Sequence, residues 1–401
     1  MKRKDLYLKM FHYENFFNDK IIRLESMDYD TKVFPMPEIY KKAINLMFQH
    51  NTLTYSDFGG FPRMIKQINL YENLVSKTSF QKAVFVSAGV SSLLNTVVKL
   101  ISRKCPKKEQ VVLFSPEYSF FHSVVEGNGL KPIVINTSRK NNFIPTIKQI
   151  KEKINNKTLA VIFSNPNNPT CQILPNNFIK ELVNLCKKNE TFIVTDEVYR
   201  NTVFDEKNYS PIEKVNGGYN NLFKLFGPSK DRPGLNGLRM GYCLFDRKFE
   251  NNFKKEHVVS NFSNNIIADF LFLIDISMRN YNMTNKKSND LKLFSNYYLD
   301  DYNKKLQINR TKQKKYLELI IREINQNRNI VDFITPTCGN SLWFKYKTAL
   351  PPETFVKLFT KKGVALYASD VFLDNYKING SWSRICITKD ISKIIKGLKK
   401  I

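Results

Sequence analysis

Histidine and tryptophan are scarce in this chain, four and two in 401 residues, and no apolar run comes near the ~18 to 20 residues a bilayer requires. The best candidate, "IIADFLFLIDI" from Ile266, is short and broken by Asp269 and Asp275, so it reads as a buried helix and no membrane partner is expected. The histidines (12, 50, 122 and 257) have no ligand-like spacing, and the six cysteines (105, 171, 186, 243, 338 and 386) contain no CxxC pair, so no metal site is expected. Scattered cysteines of this kind favour free thiols and a reducing, cytoplasmic location. The start, "MKRKDLYLKMFHYENFF", lacks the apolar core and small-residue cleavage site of a signal peptide, and Asp5 and Glu14 argue against a transit peptide. It is expected to belong to the folded protein, its aromatics (Tyr7, Phe11, Tyr13, Phe16, Phe17) packing a helix.

Acidic residues are also outnumbered, 36 against 63 Lys and Arg, leaving a formal charge of +27. Such a surface attracts phosphates non-specifically. The lysines, however, lie along the whole chain among many asparagines rather than in a stripe, and no zinc finger, basic zipper or aromatic RNA-binding signature accompanies them. No specific nucleic-acid partner is expected.

What is present is a large globular composition, 42% hydrophobic and 13% aromatic, with a clear alternation from about residue 80 to 245. The runs "KAVFVSAG", "QVVLFSP", "PIVINT", "LAVIFSNP", "TFIVTDEVY", "NLFKLFG" and "LRMGYCLF" are rich in Val, Ile and Phe and end in turn residues, as buried strands do. Helix-like stretches such as "VSSLLNTVVKLISRK" and "NNFIKELVNLCKKN" lie between them. This predicts an α/β fold with a mostly parallel central sheet and helices on both faces. After about residue 290 one or two long helices precede short strands at "NSLWFKYK", "VALYAS" and "SRICIT", which predicts a smaller α+β domain. The expected boundaries are an N-terminal segment 1–45 joining the small domain, a large domain over 46–290 and a small C-terminal domain over 291–401.

Ligands of such sheets sit beyond the carboxyl ends of the strands. The loops there read "SAGVSS" (87–92), "SPEYSFF" (115–121), "SNPNNPT" (164–170), "TDEVYR" (195–200) and "GPSKDRPGLNGLRMGY" (227–242). Each alone is weak. The first is an anion-binding helix start or an ordinary N-cap turn, and Tyr118 in the second is a platform for a ring or a packing residue. The third is a proline-fixed turn presenting the Asn168 amide, or a common turn pair. Asp196 in the fourth ends an apolar strand, where a carboxylate is costly without a partner. Lys230 in the fifth is not set in G-x-x-x-x-G-K-[ST], so a nucleotide phosphate loop is excluded.

Taken in order, a glycine-headed helix start, an aromatic platform, an NPxNPT turn, a DxxY strand end and a lysine followed by G-x-R-x-G-Y resemble the fold-type I, aspartate-aminotransferase-like family of pyridoxal 5′-phosphate enzymes. The resemblance implies Lys230 as the Schiff-base lysine, Asp196 as partner of the pyridine nitrogen, and Tyr199 and Asn168 as donors to the ring's 3-hydroxyl. It further implies Tyr118 stacked on the ring, a phosphate cradle at Gly89, Val90 and Ser91, and Arg239 neutralising that phosphate. Tyr55 in "LTYSDFGG" matches the tyrosine reaching a neighbouring subunit's phosphate, which implies a homodimer with shared active sites. Arg384 in "SWSRICIT" matches the arginine that grips the substrate α-carboxylate, with Asn168 beside it. Lys230, Asp196 and Tyr199 form the implied catalytic set.

The implied activity moves an amino group from an amino acid to a 2-oxo acid. A lyase, decarboxylase, cyclase or oxidase on the same scaffold is the alternative, since fold does not fix reaction outcome. A catalytically dead interaction protein is disfavoured because every polar group expected around the ring is present. Three departures bear on loop geometry: Gly227 stands where the family has serine, Cys171 follows the NPxNPT turn where glycine is usual, and Arg239 lies at Lys230 plus nine, one residue further than the pattern.

Overall fold

The computed structural model describes residues 21–50, 53–77, 82–215, 217–372 and 380–401. The N-terminal aromatics and His12 lie outside them. The chain runs through β1 (Ile22–Arg23), α1 (Glu38–Gln49), α2 (Pro62–Ser76), β2 (Ala83–Ser87), α3 (Val90–Lys104), β3 (Gln110–Ser115), α4 (Ser119–Gly127), β4 (Lys131–Asn136), α5 (Ile147–Lys151), β5 (Thr158–Ser164), α6 (Asn176–Lys188) and β6 (Phe192–Asp196). It continues with β7 (Leu222–Phe226), β8 (Gly241–Phe245), α7 (Glu250–Val258), α8 (Ile266–Thr284) and α9 (Asn296–Gln326). The last elements are β9 (Ile330–Ile334), β10 (Ser341–Tyr346), α10 (Pro352–Lys361), β11 (Val364–Ala365), β12 (Trp382–Cys386) and α11 (Ile391–Leu398).

All seven apolar runs become strands of one sheet, in the order β2-β8-β7-β6-β5-β3-β4. Pairs from β7 to β4 are parallel, and only β8 runs against its neighbours β2 and β7. Strand residues alternate between faces, as the two-residue pleat requires. Leu113, Ile162, Val194 and Leu225 pack with Leu93 and Val97 of α3 on one side. Val112, Val161 and Ile193 pack with Phe178 and Leu182 of α6 on the other. Val84, Val86, Phe226 and Tyr242 extend that second face against α2 and α8. Helices therefore cover both faces, which is why the strands are apolar throughout.

"IIADFLFLIDI" opens α8, buried along most of its length and capped by the Asn265 side chain. In the C-terminal part, β9, β10 and β12 form an antiparallel sheet, and β1 pairs in parallel with β11, bringing the first described residues onto this unit. Leu24 packs there with Phe344, Ile385 and Leu398. Among the described residues no helix is long and apolar enough to cross a membrane.

Candidate active site

Register sets the strand ends side by side: Ser164 of β5 pairs with Asp196 of β6, and Asp196 with Leu225 of β7. The loops leaving β5, β6 and β7 therefore start at one sheet edge. They border a cavity of about 440 Å³ lined by Gly89, Val90, Ser91, Tyr118, Asn168, Asp196, Tyr199, Lys230, Arg239 and Arg384. Ten of the eleven residues singled out in the sequence thus share one cavity. The eleventh, Tyr55, is 86% exposed and stands away from it, its ring edge-on to exposed Phe262.

Gly89 adopts φ 87°, open to glycine and unfavourable for other residues, and starts α3. A Cβ at Gly89 would stand 3.0 Å from Nη2 of Arg239, so the guanidinium lies directly over the helix start. Helix amides and a cation together form an anion cradle. Arg239 itself is at φ 55° and closes the short turn 236–238. The loop with the extra residue is pinned by Asn236, whose amide donates to Asp28 at 2.7 Å. At Gly227 the backbone leaves no room for a serine: an added Cβ would lie 2.6 Å from the Met240 carbonyl oxygen.

Asp196 is 5% exposed, and burial pushes its carboxyl up to about 7 against the Val198 N–H bond and the attraction of Lys230. The Val198 amide donates to Oδ1 at 3.1 Å. The Lys230 amine is held below the ordinary lysine value by burial and by the positive charge of Arg384. Its backbone is fixed from behind: Nδ2 of Asn340 donates to the Lys230 carbonyl, Tyr29 Oη stands 3.0 Å from the same oxygen, and Gln313 Nε2 donates to Tyr29 and Asn340.

Arg384, on β12, reaches in from the smaller sheet. Nη1 donates to Asn168 Oδ1 at 2.7 Å and Nη2 to the Glu25 carbonyl at 2.9 Å, while Nε is buried without a hydrogen-bond partner. The guanidinium lies over the Phe372 and Tyr367 rings, at 5.1 and 5.8 Å. Tyr199 Oη stands 2.8 Å from Met27 Sδ, a weak acceptor that a better one can replace. Cys171 takes φ 55°, the left-handed conformation expected where glycine is usual, and is fully buried against Cys338, Val198 and Tyr199. Its thiol lies 3.2 Å from Ser341 Oγ.

Several contributors were not read from the sequence. The extended segment 23–28 lines the cavity through Arg23, Glu25, Met27 and Asp28, and Tyr367 and Phe372 form its wall. The signal in "RLESMD" is only two apolar residues set among polar ones, which does not say what the polar ones face. Beneath Asp196 and Tyr199 lies a buried ion cluster. Arg200 forks onto Glu72 (2.5 and 3.0 Å), and Lys224 Nζ lies 2.5 Å from both Glu72 and Glu213. A second cavity of about 500 Å³ lies nearby, but its buried cations Arg200, Arg232 and Arg279 are each held by a carboxylate.

The signature described as aminotransferase class I and II matches residues 19–401. An aspartate aminotransferase of Thermotoga maritima is 26% identical over 251 residues, 62% of this chain and 64% of that one. An asparagine–oxo-acid transaminase of Streptococcus mutans is 23% identical over 53% of each chain. The alignments thus span between half and two-thirds of these relatives. Aspartate aminotransferase of Thermus thermophilus with maleate superposes at a TM-score of 0.82, with 16% identity, over 100% of this chain and 95% of that one. The Thermotoga maritima structure gives 0.79 and 21% identity over 100% and 96%.

Proposed function

The chain belongs to the class I and II aminotransferase family, and from that membership we propose that it moves the amino group of an amino acid to a 2-oxo acid with pyridoxal 5′-phosphate as cofactor. The observation that carries the proposal is the convergence of ten residues, drawn from the ends of β2, β3, β5, β6 and β7 and from β12, on one cavity. The residues present fit the cofactor. A glycine-headed cradle under Arg239 suits a phosphate, and a buried carboxyl without a cation in direct contact suits a ring N–H. In this reading Gly89, Val90, Ser91 and Arg239 hold the phosphate, Tyr118 covers the ring, Asp196 faces its nitrogen, and Tyr199 and Asn168 meet its hydroxyl. When bound, the cofactor supplies an aldehyde to carry the amino group and an electron-poor ring to absorb negative charge.

The chain's own groups do the rest. Lys230 would be the attachment amine, and once displaced by substrate its lowered basicity would suit it to take a proton from the substrate α-carbon and pass it to the cofactor. Asp196 is stabilised as a carboxylate by the ring N–H, so the ring stays protonated. Arg384 orients the substrate by its α-carboxylate through two parallel charge-assisted hydrogen bonds, which would exchange its bond to Asn168 for the substrate. The buried, unpartnered Nε favours such an acceptor.

Division at 46–290 and 291–401, with the N-terminal segment on the smaller unit, belongs to the same proposal. So do a cytoplasmic location and a homodimer in which Tyr55 reaches the neighbouring subunit's phosphate. Exposure of Tyr55 and Phe262 side by side supports such a contact. The test is a panel of amino acids offered to the purified holoenzyme with 2-oxo acid acceptors. The proposal expects the amino group to appear on the acceptor; release of ammonia and an oxo acid without any acceptor would instead mean elimination.

A further inference from the structure

His257 lies in α7, outside the cavity, with 0% exposure and its ring against Phe85 at 4.8 Å between centroids. Both ring nitrogens are engaged: Nε2 lies 2.8 Å from Ser87 Oγ and Nδ1 2.8 Å from Thr96 Oγ1. The Ser87 hydroxyl also reaches Ser92 Oγ at 3.5 Å, and the contacts at Thr96 favour one tautomer of the ring. The Thr96 hydroxyl donates to the Ser92 carbonyl at 3.2 Å, a group that can only accept, so Oγ1 is left to accept from Nδ1–H. Nε2 is then bare and accepts the Ser87 proton. Ser87 Oγ in turn accepts from Nδ2 of Asn261 at 3.0 Å. Burial, which pushes the imidazole down to about 4, agrees with this neutral tautomer.

What the ring joins gives the arrangement its meaning. Ser87 is the last residue of β2 and Thr96 sits in the second turn of α3. Between them runs the turn that carries Gly89, Val90 and Ser91, the candidate phosphate cradle. A third element thus ties the strand end to the helix body, beside the turn's own contacts, the Gly89 amide on the Ser87 carbonyl at 2.7 Å and Ser87 Oγ on Ser92 Oγ at 3.5 Å. Asn261 continues the tie to Asn264, whose amide donates to the Val86 carbonyl at 3.1 Å, so β2 is held one residue further back as well.

We propose that His257 is a positioning residue for the cofactor phosphate: its neutral ring spans Ser87 and Thr96 and so sets the direction of the Val90 and Ser91 amides at the start of α3. The inference rests on reading Gly89 to Ser91 as the phosphate cradle. Anion binding at a helix start depends on where the first free N–H groups point, and a turn headed by glycine does not hold that direction by itself.

The test compares wild type, His257→Phe, His257→Gln and Ser87→Ala. The readings are the dissociation constant for pyridoxal 5′-phosphate, the phosphorus resonance of bound cofactor, and the unfolding midpoint without cofactor. Phenylalanine keeps the packing and removes both bonds; it is expected to weaken cofactor binding about tenfold or more and to shift the phosphorus resonance. Glutamine, which can donate and accept, is expected to recover most of the affinity. Ser87→Ala cuts the tie while leaving the ring in place, and is expected to weaken binding to a similar extent, so the inference stays testable even if His257→Phe folds poorly. Variants that lower the unfolding midpoint but leave affinity and resonance unchanged would overturn it, leaving His257 a core residue only. A wild-type protein that takes up no cofactor would overturn the underlying reading, and this inference with it.

Discussion

Replacing Lys224 by methionine removes the cation from the centre of the buried ion cluster. Its Nζ lies 2.5 Å from Glu72 Oε2 and Glu213 Oε1 and 3.9 Å from Glu197 Oε2, and the side chain has no exposure. Glu72 and Glu197 would then share Arg200, which already forks onto Glu72, and Glu213 would lose its ion-pair partner. Removing one partner of a buried pair costs about 3–5 kcal/mol, because the charge left behind keeps its desolvation penalty. A domain is stable by only about 5–15 kcal/mol, so the loss is easily measured.

The loss must also depend on pH. Burial alone would raise Glu72, but Arg200 and Lys224 hold it well below the usual carboxylate range, so in wild type its contribution persists above the ordinary carboxylate value and is lost in acid. Burial already raises Glu197 to about 7 against the pull of Lys224; without Lys224 its carboxyl favours the protonated form still more, and the variant loses stability as pH rises. Urea unfolding followed by circular dichroism is therefore expected to show a larger deficit at pH 8 than at pH 6. Adding Glu213→Gln is expected to recover at least about 1 kcal/mol, since the two sites touch. A deficit under about 1 kcal/mol that is flat with pH would refute the reasoning.

Other consequences are as definite. Asp196 is an acid raised in the folded state to about 7, so without cofactor the protein should lose up to about 4 kcal/mol as pH climbs from the ordinary carboxylate value through 7; Asp196→Asn should flatten that slope in unfolding curves. Arg384→Lys replaces a fork with a point charge and should lower kcat/KM for amino acids about 100-fold, seen in steady-state rates, while cofactor affinity stays near wild type. Cys171→Gly trades relief of the φ 55° conformation for loss of a buried thiol and should change unfolding free energy by about 1 kcal/mol or less, whereas Cys171→Val, β-branched, should cost about 2 kcal/mol or more.

The sheet was legible because strands buried on both faces must be apolar along their length, and "LAVIFS" or "TFIVTD" can be little else. The site was legible because its residues close those strands, where local order survives into space. Position relative to the sheet was therefore enough for Lys230, Asp196, Asn168 and the Gly89 turn. It was not enough for the ion cluster: Glu72, Lys224 and Glu213 come from α2, β7 and a loop, and a lysine inside "NLFKLF" looks like a solvated interruption of a strand. His257 shows only a lack of ligand-like spacing in the sequence, since its partners lie 161 and 170 residues away in the chain. The exclusion of serine at Gly227 likewise depends on the Met240 carbonyl, which only the fold brings near.

Borohydride reduction of the protein incubated with pyridoxal 5′-phosphate, followed by peptide mass mapping, bears most directly on the central claim. Among the described lysines, only Lys230 combines a buried, deprotonation-prone amine with a carboxylate and a cradle in the same cavity. One pyridoxyl group per chain is expected, on the peptide bearing Lys230, and none on that peptide's counterpart in Lys230→Ala. Label spread over surface lysines with Lys230 unmodified, or unchanged visible absorbance in Lys230→Ala, would contradict it.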